Sequence, residues 1–219
     1  EKPLIEVGGT TLLGWALGCV SSGWERHFVV RRDQKESLVR PAFSLTGNNG
    51  TWTVLPGPTP GAACSVLAAA VGLPQDEPVL VMNADQHFKC DLEAALARAE
   101  AEAWDGAILT FEGKGPQWSY AVTNGTDRVV WVVEKKEVSK FATVGVYWWR
   151  RAGDLVRSIC AMVASGQRTQ NEYFLAPSFC FLPLADKDVR VVPVDEFHGL
   201  GTPEQVREFE ALLASGWTP

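Results

Sequence analysis

A carboxylate follows directly on the most apolar short run of the sequence. Pro78–Met82 reads Pro-Val-Leu-Val-Met, and Asn83-Ala84-Asp85 comes next. An unbroken apolar run of this length is typical of a strand covered on both faces, as in a parallel sheet. Mg²⁺ prefers one or two carboxylates, with phosphate oxygens and water completing its shell. We therefore interpret Asp85 as a candidate metal ligand at a strand end, with a structural cap of the next turn as the alternative.

A second charged group, Glu134-Lys135-Lys136, closes the apolar run that begins at Val129. A carboxylate beside an ammonium group can bind a hydroxyl and a phosphate of one small ligand. The alternative is a solvated charged turn, which is the commoner role of such runs.

A third candidate is the stretch Thr59-Pro60-Gly61-Ala62-Ala63, which opens a predicted helix with small residues. Thr59 is predicted as the N-cap and Pro60 as the first helical residue. Exposed N–H groups at such a helix start can meet an anion or the polar edge of a base, and small side chains permit close approach. Ordinary capping with tight helix packing is an equally good interpretation.

The elements that position these groups alternate along the chain. We predict strands at His27–Val30, Trp52–Leu55, Pro78–Met82, Gly106–Phe111, Ser119–Thr123, Val129–Glu134, Thr143–Trp149 and Val189–Val194. We predict helices from Thr10 or Thr11 to about Ser21, at Asp33–Phe43, at about Pro60–Val71, at Asp91–Glu102, at about Arg151–Ser165, from Glu172 with Asn171 as cap, and from Thr202-Pro203-Glu204-Gln205 onward. This order predicts an α/β fold, with a mostly parallel sheet flanked by helices and a small antiparallel insert. Ligands of such sheets bind beyond the carboxyl ends of the strands.

The composition excludes several classes of partner. The 219 residues carry a formal net charge of -6, which argues against a nucleic-acid surface. The richest apolar run, Ala62–Leu73, is too short to span a bilayer, so we expect no membrane partner. The five cysteines are scattered and never spaced C-x-x-C, as in reduced cytosolic proteins. We therefore expect a cytoplasmic protein with one domain over residues 1–219, compatible with a homo-oligomer.

Taken in order, short segments along nearly the whole chain resemble the sugar-nucleotidyltransferase (nucleotidyl-pyrophosphorylase) family. The similarity is greatest to its small members encoded with capsule and surface-polysaccharide genes. The segments are Lys2-Pro3-Leu4-Ile5-Glu6-Val7-Gly8-Gly9, Pro60-Gly61-Ala62-Ala63, Asn83-Ala84-Asp85, Glu134-Lys135, Ala142-Thr143-Val144-Gly145-Val146-Tyr147, Asn171-Glu172-Tyr173 and Gly201-Thr202-Pro203-Glu204.

The resemblance implies a GT-A (Rossmann-like) fold and a reaction. A phosphate oxygen of a sugar 1-phosphate, or of a similar small phosphorylated alcohol, attacks the α-phosphorus of a nucleoside triphosphate, and pyrophosphate leaves. The implied catalytic residues are Lys2, Asp85 and Lys135, with Asp85 holding Mg²⁺. The implied nucleotide-binding residues are Pro60, Gly61, Ala62 and Asn83. The implied acceptor-binding residues are Tyr120, Glu134, Lys135, Gly145 and Glu172.

The sequence departs from the family pattern in two places. The Gly-rich phosphate loop and first strand of the family are absent, since the chain begins Glu1-Lys2-Pro3. We expect roughly 20–25 further residues upstream in the natural protein, the usual length of a strand and a loop. The family's second metal-binding Asp corresponds to Gly199 here.

Two other functions remain open from the sequence. A glycosyltransferase of the same fold would use a finished nucleotide sugar, although such enzymes usually carry a D-x-D motif where this chain has Asn83-Ala84-Asp85. A non-catalytic nucleotide-binding or regulatory protein is the second alternative, favoured by the absent loop and Gly199. Release of pyrophosphate from a triphosphate and a sugar phosphate would separate the transferase from both.

Overall fold

The computed structural model describes residues 1–47 and 50–218. They divide into two units. The first unit contains Glu1–Pro56, Asn83–Leu92 and Val194–Pro219, and the second contains Gly57–Met82 and Glu93–Pro193.

Strands and helices alternate over much of the chain. The strands are β1 Glu6–Val7, β2 Thr10–Thr11, β3 His27–Arg31, β4 Thr51–Leu55, β5 Val79–Met82, β6 Gln86–Lys89, β7 Gly106–Glu112, β8 Ser119–Thr123, β9 Val129–Glu134, β10 Phe141–Trp149, β11 Val189–Pro193 and β12 Glu196–Gly199. The α-helices are α1 Leu12–Leu17, α2 Lys35–Leu45, α3 Ala62–Ala70, α4 Leu92–Ala101, α5 Ala152–Ser165 and α6 Pro203–Ala214. Short 3-10 helices occupy Lys2–Leu4, Arg32–Gln34 and Ala176–Phe181.

The first unit contains three small two-stranded sheets. Strands β3 and β4 pair in parallel, whereas β1 pairs antiparallel with β2 and β6 antiparallel with β12. The predicted cap of α1 is confirmed, because the Thr11 hydroxyl accepts a hydrogen bond from the Gly14 N–H at 3.0 Å. The predicted start of α6 is also confirmed, with Thr202 and Gln205 forming a reciprocal capping box. These caps fix where both helices begin.

The second unit is built on a six-stranded sheet in the order β11-β7-β10-β8-β9, with β5 also pairing with β10. Strands β5 and β7 both run antiparallel to β10, and β11 runs parallel to β7. Strands β5, β7, β8 and β11 therefore share one direction, and β9 and β10 run opposite to them. Helices α3 and α5 pack in its core, where Trp149 stacks on Phe179 at 4.4 Å between ring centroids. The α/β prediction is confirmed, and the sheet is mixed.

Strand β10 changes its neighbour along its length. Its first residues, Phe141 and Ala142, pair with β8, whereas Val146–Trp149 pair with β5. The register against β7 shifts between Thr143 and Tyr147, and Gly145 lies within this bulge at a φ of 79°. A side chain is strained at that φ, so glycine allows β10 to bend where β8 and β5 separate.

The predicted strand Pro78–Met82 is present as β5 but is less covered than the sequence suggests. All four residues of β5 are half-buried. Among the described strands, β5 pairs with β10 alone and antiparallel to it. Its apolar run therefore forms a strand that, among the described residues, is paired on one side only, within a mixed sheet. The strand β6, directly after Asp85, was not predicted.

The predicted start of α3 is wrong by two residues. The helix begins at Ala62, and its N-cap is Gly61, whose φ of 138° lies outside the helical region. The Thr59 hydroxyl donates instead to the Gly61 carbonyl at 2.9 Å and bonds the Ser65 hydroxyl at 2.7 Å. Thr59 thus stabilises the turn before the helix and does not cap it.

The helix predicted from Glu172 is absent. Gln170 and Asn171 adopt φ values of 50° and 68°, which turn the backbone away from a helix. Thr169 and Glu172 then exchange two backbone hydrogen bonds, of 3.0 and 2.9 Å. The polar pair that suggested a cap forms a tight turn, and the next helical residues are the 3-10 helix Ala176–Phe181.

None of the helices in the described part of the chain is long and apolar enough to cross a membrane.

The Cys180 thiol covers the backbone of β9 in the middle of that strand. It accepts a hydrogen bond from the Val132 N–H and donates one to the Val132 carbonyl, both at 3.2 Å. Val132 is 3% exposed, so water does not replace these bonds easily. The Cys180 side chain thereby satisfies backbone groups of β9 that a further strand would otherwise pair.

We predict that Cys180→Ala lowers the free energy of unfolding by about 1–3 kcal/mol, the cost of unsatisfied buried backbone groups. Urea denaturation followed by tryptophan fluorescence measures this. Cys160→Ala is the matched control, because Cys160 is exposed, and it should change stability little. Equal stability of the two variants would contradict the role of the Cys180 thiol.

Candidate functional site

Asp85, in the middle segment of the first unit, forms an ion pair with Lys2 at the start of its first segment. The Lys2 ammonium donates to Asp85 Oδ2 at 2.6 Å. The side chains are 50% and 29% exposed, so the pair lies at a surface that a ligand can reach. The Asp85 carbonyl accepts from the Leu200 N–H at 2.9 Å, which holds Asp85 beside the segment after β12. Two predicted catalytic residues are thus in direct contact.

Gly199, the last residue of β12, and Gly201, two residues later, differ in the space around them. A Cβ on Gly201 would lie 3.7 Å from Asp85 Oδ2 and 3.8 Å from Lys2 Nζ. A Cβ on Gly199 would lie only 2.8 Å from Gln205 Nε2. Gln205 is held there because its Oε1 accepts from the N–H groups of Gly201 and Thr202, at 2.9 and 3.1 Å. The side chain of Gln205 therefore fills the space beside residue 199.

The donor set at Asp85 fits a magnesium ion that is shared with substrate. Within residues 1–47 and 50–218, no three His, Cys, Asp or Glu side chains converge as a metal-binding group. One carboxylate is within the usual protein contribution to Mg²⁺, which keeps several waters and binds phosphate oxygens. Asp85 would supply that carboxylate, and the missing side chain of Gly201 leaves room next to it. Asn83, two residues earlier, is exposed.

The predicted nucleotide-binding residues Pro60, Gly61 and Ala62 form a loop held by the backbone of Tyr173. The Tyr173 N–H donates to the Pro60 carbonyl at 2.9 Å, and the Ala63 N–H donates to the Tyr173 carbonyl at 3.0 Å. A Cβ on Gly61 would lie 2.5 Å from the Tyr173 nitrogen. Only glycine permits this approach, and the loop keeps Pro60 and Ala62 exposed.

The Lys135 side chain is held by residues that flank Tyr173 in the sequence. Its ammonium donates to Gln170 Oε1 at 2.6 Å and lies 4.7 Å from the centroid of the Phe174 ring. Its backbone has a φ of 55°, and its N–H donates to the Trp118 carbonyl at 2.9 Å. Glu172 lies exposed on this segment. Residues 169–174 therefore contact both the predicted nucleotide loop and the predicted acceptor lysine.

Glu134 lies opposite Ser119 in the β8–β9 pair, and the Ser119 hydroxyl donates to Glu134 Oε2. Burial raises the pKa of Glu134, while the Ser119 hydrogen bond and the Lys135 charge oppose that shift. A carboxylate held in this way can accept a ligand hydroxyl.

The predicted acceptor-binding residues Tyr120 and Gly145 are both buried. Tyr120 is fully buried, and its hydroxyl donates to the Gly115 carbonyl at 2.7 Å. Gly145 is buried in the bulge of β10.

Comparison with known proteins then identifies the family. Residues 1–186 match the family model of the MobA-like NTP transferase domain. The chain belongs to this family. An NTP transferase domain transfers a nucleotidyl group, so the prediction of a nucleotidyltransferase is confirmed. Comparison with the sequences of curated proteins gives no significant match.

Solved structures of other proteins show the same fold. A nucleoside-diphosphate-sugar pyrophosphorylase from Vibrio cholerae RC9 superposes with a TM-score of 0.80 at 21% identity, over 96% of this chain and 91% of that one. HddC from Yersinia pseudotuberculosis, complexed with GMP-PN, gives 0.69 at 14% identity, over 97% and 89%. A UDP-glucose pyrophosphorylase complexed with UDP-glucose gives 0.74 at 13% identity, over 99% and 91%. At these identities the similarity concerns the fold.

Several residues around the MobA-like site were not predicted from the sequence. Ser119, Gln170, Phe174 and Gln205 each contact a predicted site residue or fill the space beside one. Ser119 had a signal, because hairpin pairing of two predicted strands places some residue of β8 opposite Glu134. The position of Gln205 follows from the capping box predicted at the start of α6. Gln170 and Phe174 come from irregular segments whose geometry no periodic pattern encodes.

We predict that Gly61→Ala destabilises the protein by at least about 1–3 kcal/mol, because its φ is positive and its Cβ would overlap the Tyr173 backbone. Thermal denaturation measures the effect. Gly57→Ala is the control, since a Cβ there meets no atom within 4 Å. Similar melting temperatures for the two variants would show that the Tyr173 contact does not constrain the loop.

We also predict a pH dependence from Glu134. Its folded-state pKa is raised above the ordinary value of 4.5, so the folded protein binds this proton more tightly than the unfolded chain does. The stabilisation is complete below the unfolded pKa and is lost as pH rises through the folded pKa. The free energy of unfolding of the natural chain, minus that of Glu134→Gln, should therefore fall as pH rises above 4.5. Exposed Glu93→Gln is the control, and a flat difference for Glu134→Gln would refute the prediction.

Proposed function

We propose that the protein joins a nucleoside monophosphate, taken from a nucleoside triphosphate, to a sugar 1-phosphate or a similar small phosphorylated alcohol. The observation that carries this proposal is the Lys2–Asp85 pair, a 2.6 Å contact in a chain of the MobA-like NTP transferase family. A carboxylate and an ammonium together provide a metal ligand and a phosphate ligand. A triphosphate bound with Mg²⁺ requires both.

The groups of the first unit act on the triphosphate in this proposal. Asp85 would hold Mg²⁺, and the metal would supply neutralisation of charge on the phosphate oxygens. Lys2 binds phosphate oxygens once they are present. Asn83 is assigned to the nucleotide, and its exposure leaves its amide available to a ligand.

The groups of the second unit act on the base and the acceptor. The backbone of Pro60, Gly61 and Ala62 contacts the base, which the exposure of this loop supports. The Lys135 ammonium binds the acceptor phosphate. Glu134 accepts an acceptor hydroxyl, and Tyr120, Gly145 and Glu172 are assigned to the same substrate.

The chemical step needs no protein nucleophile, because the attacking oxygen of the acceptor phosphate is already anionic. A bond forms between that oxygen and the α-phosphorus, the bond from the α-phosphorus to the bridging oxygen of the β-phosphate breaks, and pyrophosphate leaves with the electron pair. The contribution of the protein is alignment and charge neutralisation. The cations named here suffice for that in a protein whose net charge is -6.

Chemistry and the relatives both support a sugar phosphate as the acceptor class. A carboxylate next to an ammonium, as in Glu134-Lys135, suits a ligand that carries both hydroxyl and phosphate groups. Nucleotide-sugar pyrophosphorylases among the structural neighbours support a sugar phosphate. The resemblance to small enzymes encoded with surface-polysaccharide genes supports a role in making precursors for such polymers.

The proposal is tested by release of pyrophosphate. Nucleoside triphosphates are screened against sugar 1-phosphates and other phosphorylated alcohols with Mg²⁺, and EDTA is expected to stop the reaction. Turnover of a finished nucleotide sugar, without pyrophosphate release from any pair, would indicate a glycosyltransferase. Binding of nucleotide without turnover would indicate a non-catalytic protein.

We predict that Asp85→Ala lowers kcat at least roughly 100-fold, since a catalytic metal contributes several kcal/mol to the transition state. The far-ultraviolet circular dichroism spectrum should be unchanged. Asp33→Ala is the control, because Asp33 is exposed and its ion pair with Arg31 is local. Full activity of Asp85→Ala would remove Asp85 from the mechanism.

A further inference from the structure

The groups that contact the Lys135 ammonium leave its positive charge uncompensated. They are Gln170 Oε1, at 2.6 Å from the nitrogen, and the Phe174 ring, whose centroid lies 4.7 Å away. An amide oxygen and an aromatic ring carry no net charge. The Lys140 ammonium, by contrast, lies 2.9 Å from a carboxylate oxygen of Glu112. Lys135 is therefore a half-buried cation that can still attract an anion.

The carboxylate of Glu134, the preceding residue, does not neutralise Lys135 by direct contact. Glu134 Oε2 accepts a hydrogen bond from the Ser119 hydroxyl. The lysine charge acts on Glu134 from a longer distance and lowers the pKa of its carboxyl. In the described part of the chain, Glu134 and Lys135 form no ion pair. The two side chains are thus separate groups, one negative and one positive.

Lys135 fixes the orientation of the Gln170 amide. An ammonium group only donates hydrogen bonds, so the amide oxygen must face Lys135 and the NH2 group must point elsewhere. Gln170 is exposed, and its NH2 group has no hydrogen-bond partner within residues 1–47 and 50–218. The ammonium also keeps N–H groups beyond the one that Gln170 accepts. Donors from two side chains therefore lie next to each other at the surface of the second unit.

The backbone at this contact has an unusual conformation. Lys135, Gln170 and Asn171 have φ values of 55°, 50° and 68°, and they are three of the four non-glycine residues with positive φ in the described chain. Such values are costly, and they occur preferentially at binding and catalytic sites, where surrounding contacts hold them. The strain is thus concentrated on the two residues whose side chains meet and on the residue that follows.

We propose that Gln170 is a further acceptor-binding residue, whose amide NH2 group binds the acceptor phosphate together with the Lys135 ammonium. This inference rests on the proposed role of Lys135 in binding that phosphate. A phosphate monoester carries several acceptor oxygens and a negative charge, which match the two sets of donors and the uncompensated cation. The pair therefore favours a phosphate monoester over an uncharged alcohol of the same shape.

The neutral charge of glutamine separates this role from simple support of Lys135. A carboxylate at position 170 would hold the ammonium more firmly, because a hydrogen bond between two charged groups is roughly twice as strong as one between neutral groups. It would also cancel the lysine charge and place a negative charge beside the phosphate. If Gln170 only supports Lys135, Gln170→Glu keeps or improves phosphate binding. If its amide binds the phosphate, Gln170→Glu weakens binding.

Two more variants complete the comparison. Gln170→Asn withdraws the amide by one methylene without adding charge, and asparagine tolerates a positive φ better than most residues do. Gln167→Glu is the matched control, because Gln167 is exposed and the change adds the same charge a few residues away from the contact.

The first measurement is the Kd of methyl phosphate for the free protein, followed by the backbone amide signals of Lys135 and Asn171 in nitrogen-15 NMR. Gln170→Glu should raise this Kd at least roughly tenfold, the effect of losing one hydrogen bond to a charged group. Gln170→Asn should raise it less, and Gln167→Glu should leave it nearly unchanged. Added salt should reduce the difference between Gln170→Glu and Gln170→Asn, because it screens exposed charges.

The second measurement is the steady-state kinetics of pyrophosphate release. Gln170→Glu should raise KM for the sugar phosphate and leave KM for the triphosphate unchanged. Equal rises in both KM values would contradict a role at the acceptor phosphate.

The NMR titration also gives the results that would overturn the inference. These are binding of methyl phosphate by Gln170→Glu as tight as by Gln170→Asn, an equal loss of binding in Gln167→Glu, or no shift of the Lys135 and Asn171 signals in the natural chain. If the expected order of Kd values appears but no acceptor gives pyrophosphate, the proposed function fails and the phosphate site stands. If pyrophosphate is released with the same KM for the sugar phosphate in Gln170→Glu, the proposed function stands and this inference fails.

Discussion

The bulge of β10 is the constraint on which the second unit depends. One strand pairs with β7 along one side and, along the other, with β8 at its start and β5 at its end. A strand that meets two neighbours on one side must bend between them, and Gly145 supplies the positive φ for the bend. Thr143 and Tyr147 flank this position, so the same bend brings their hydroxyl groups together. A packing requirement of the sheet thus places two hydroxyl groups together in the interior of the second unit.

The segment 169–174 joins the other two groups of the second unit. It binds Pro60 through the backbone of Tyr173 and Lys135 through the side chain of Gln170. Two residues of the segment adopt positive φ values, which are costly unless surrounding contacts hold them. The cost is offset by hydrogen bonds at both ends. The predicted nucleotide loop and the predicted acceptor lysine consequently share one support.

Much of the architecture could be predicted from the sequence because periodic patterns encode it. Most strands were found within about two residues, and the Thr11 and Thr202 caps follow from side-chain chemistry that acts over three residues. The failures lie where a long-range contact decides. Thr59 resembles a cap, but Tyr173 packs on Gly61 and moves the helix start. Asn171-Glu172 resembles a helix start, but the Thr169–Glu172 pairing turns the chain first. The ordered family segments identified the candidate site residues, whereas partners such as Gln170 and Phe174 depend on folded geometry.

In the proposed reaction, the contact between Lys2 and Asp85 would make the binding of Mg²⁺ an exchange of cations. The carboxylate already has an ammonium group at 2.6 Å, so Mg²⁺ would replace that group and would not meet a bare negative charge. The displaced ammonium would then be free to bind the phosphates that arrive with the metal. The local charge would stay nearly balanced, and Mg²⁺ without nucleotide would gain little by displacing the lysine.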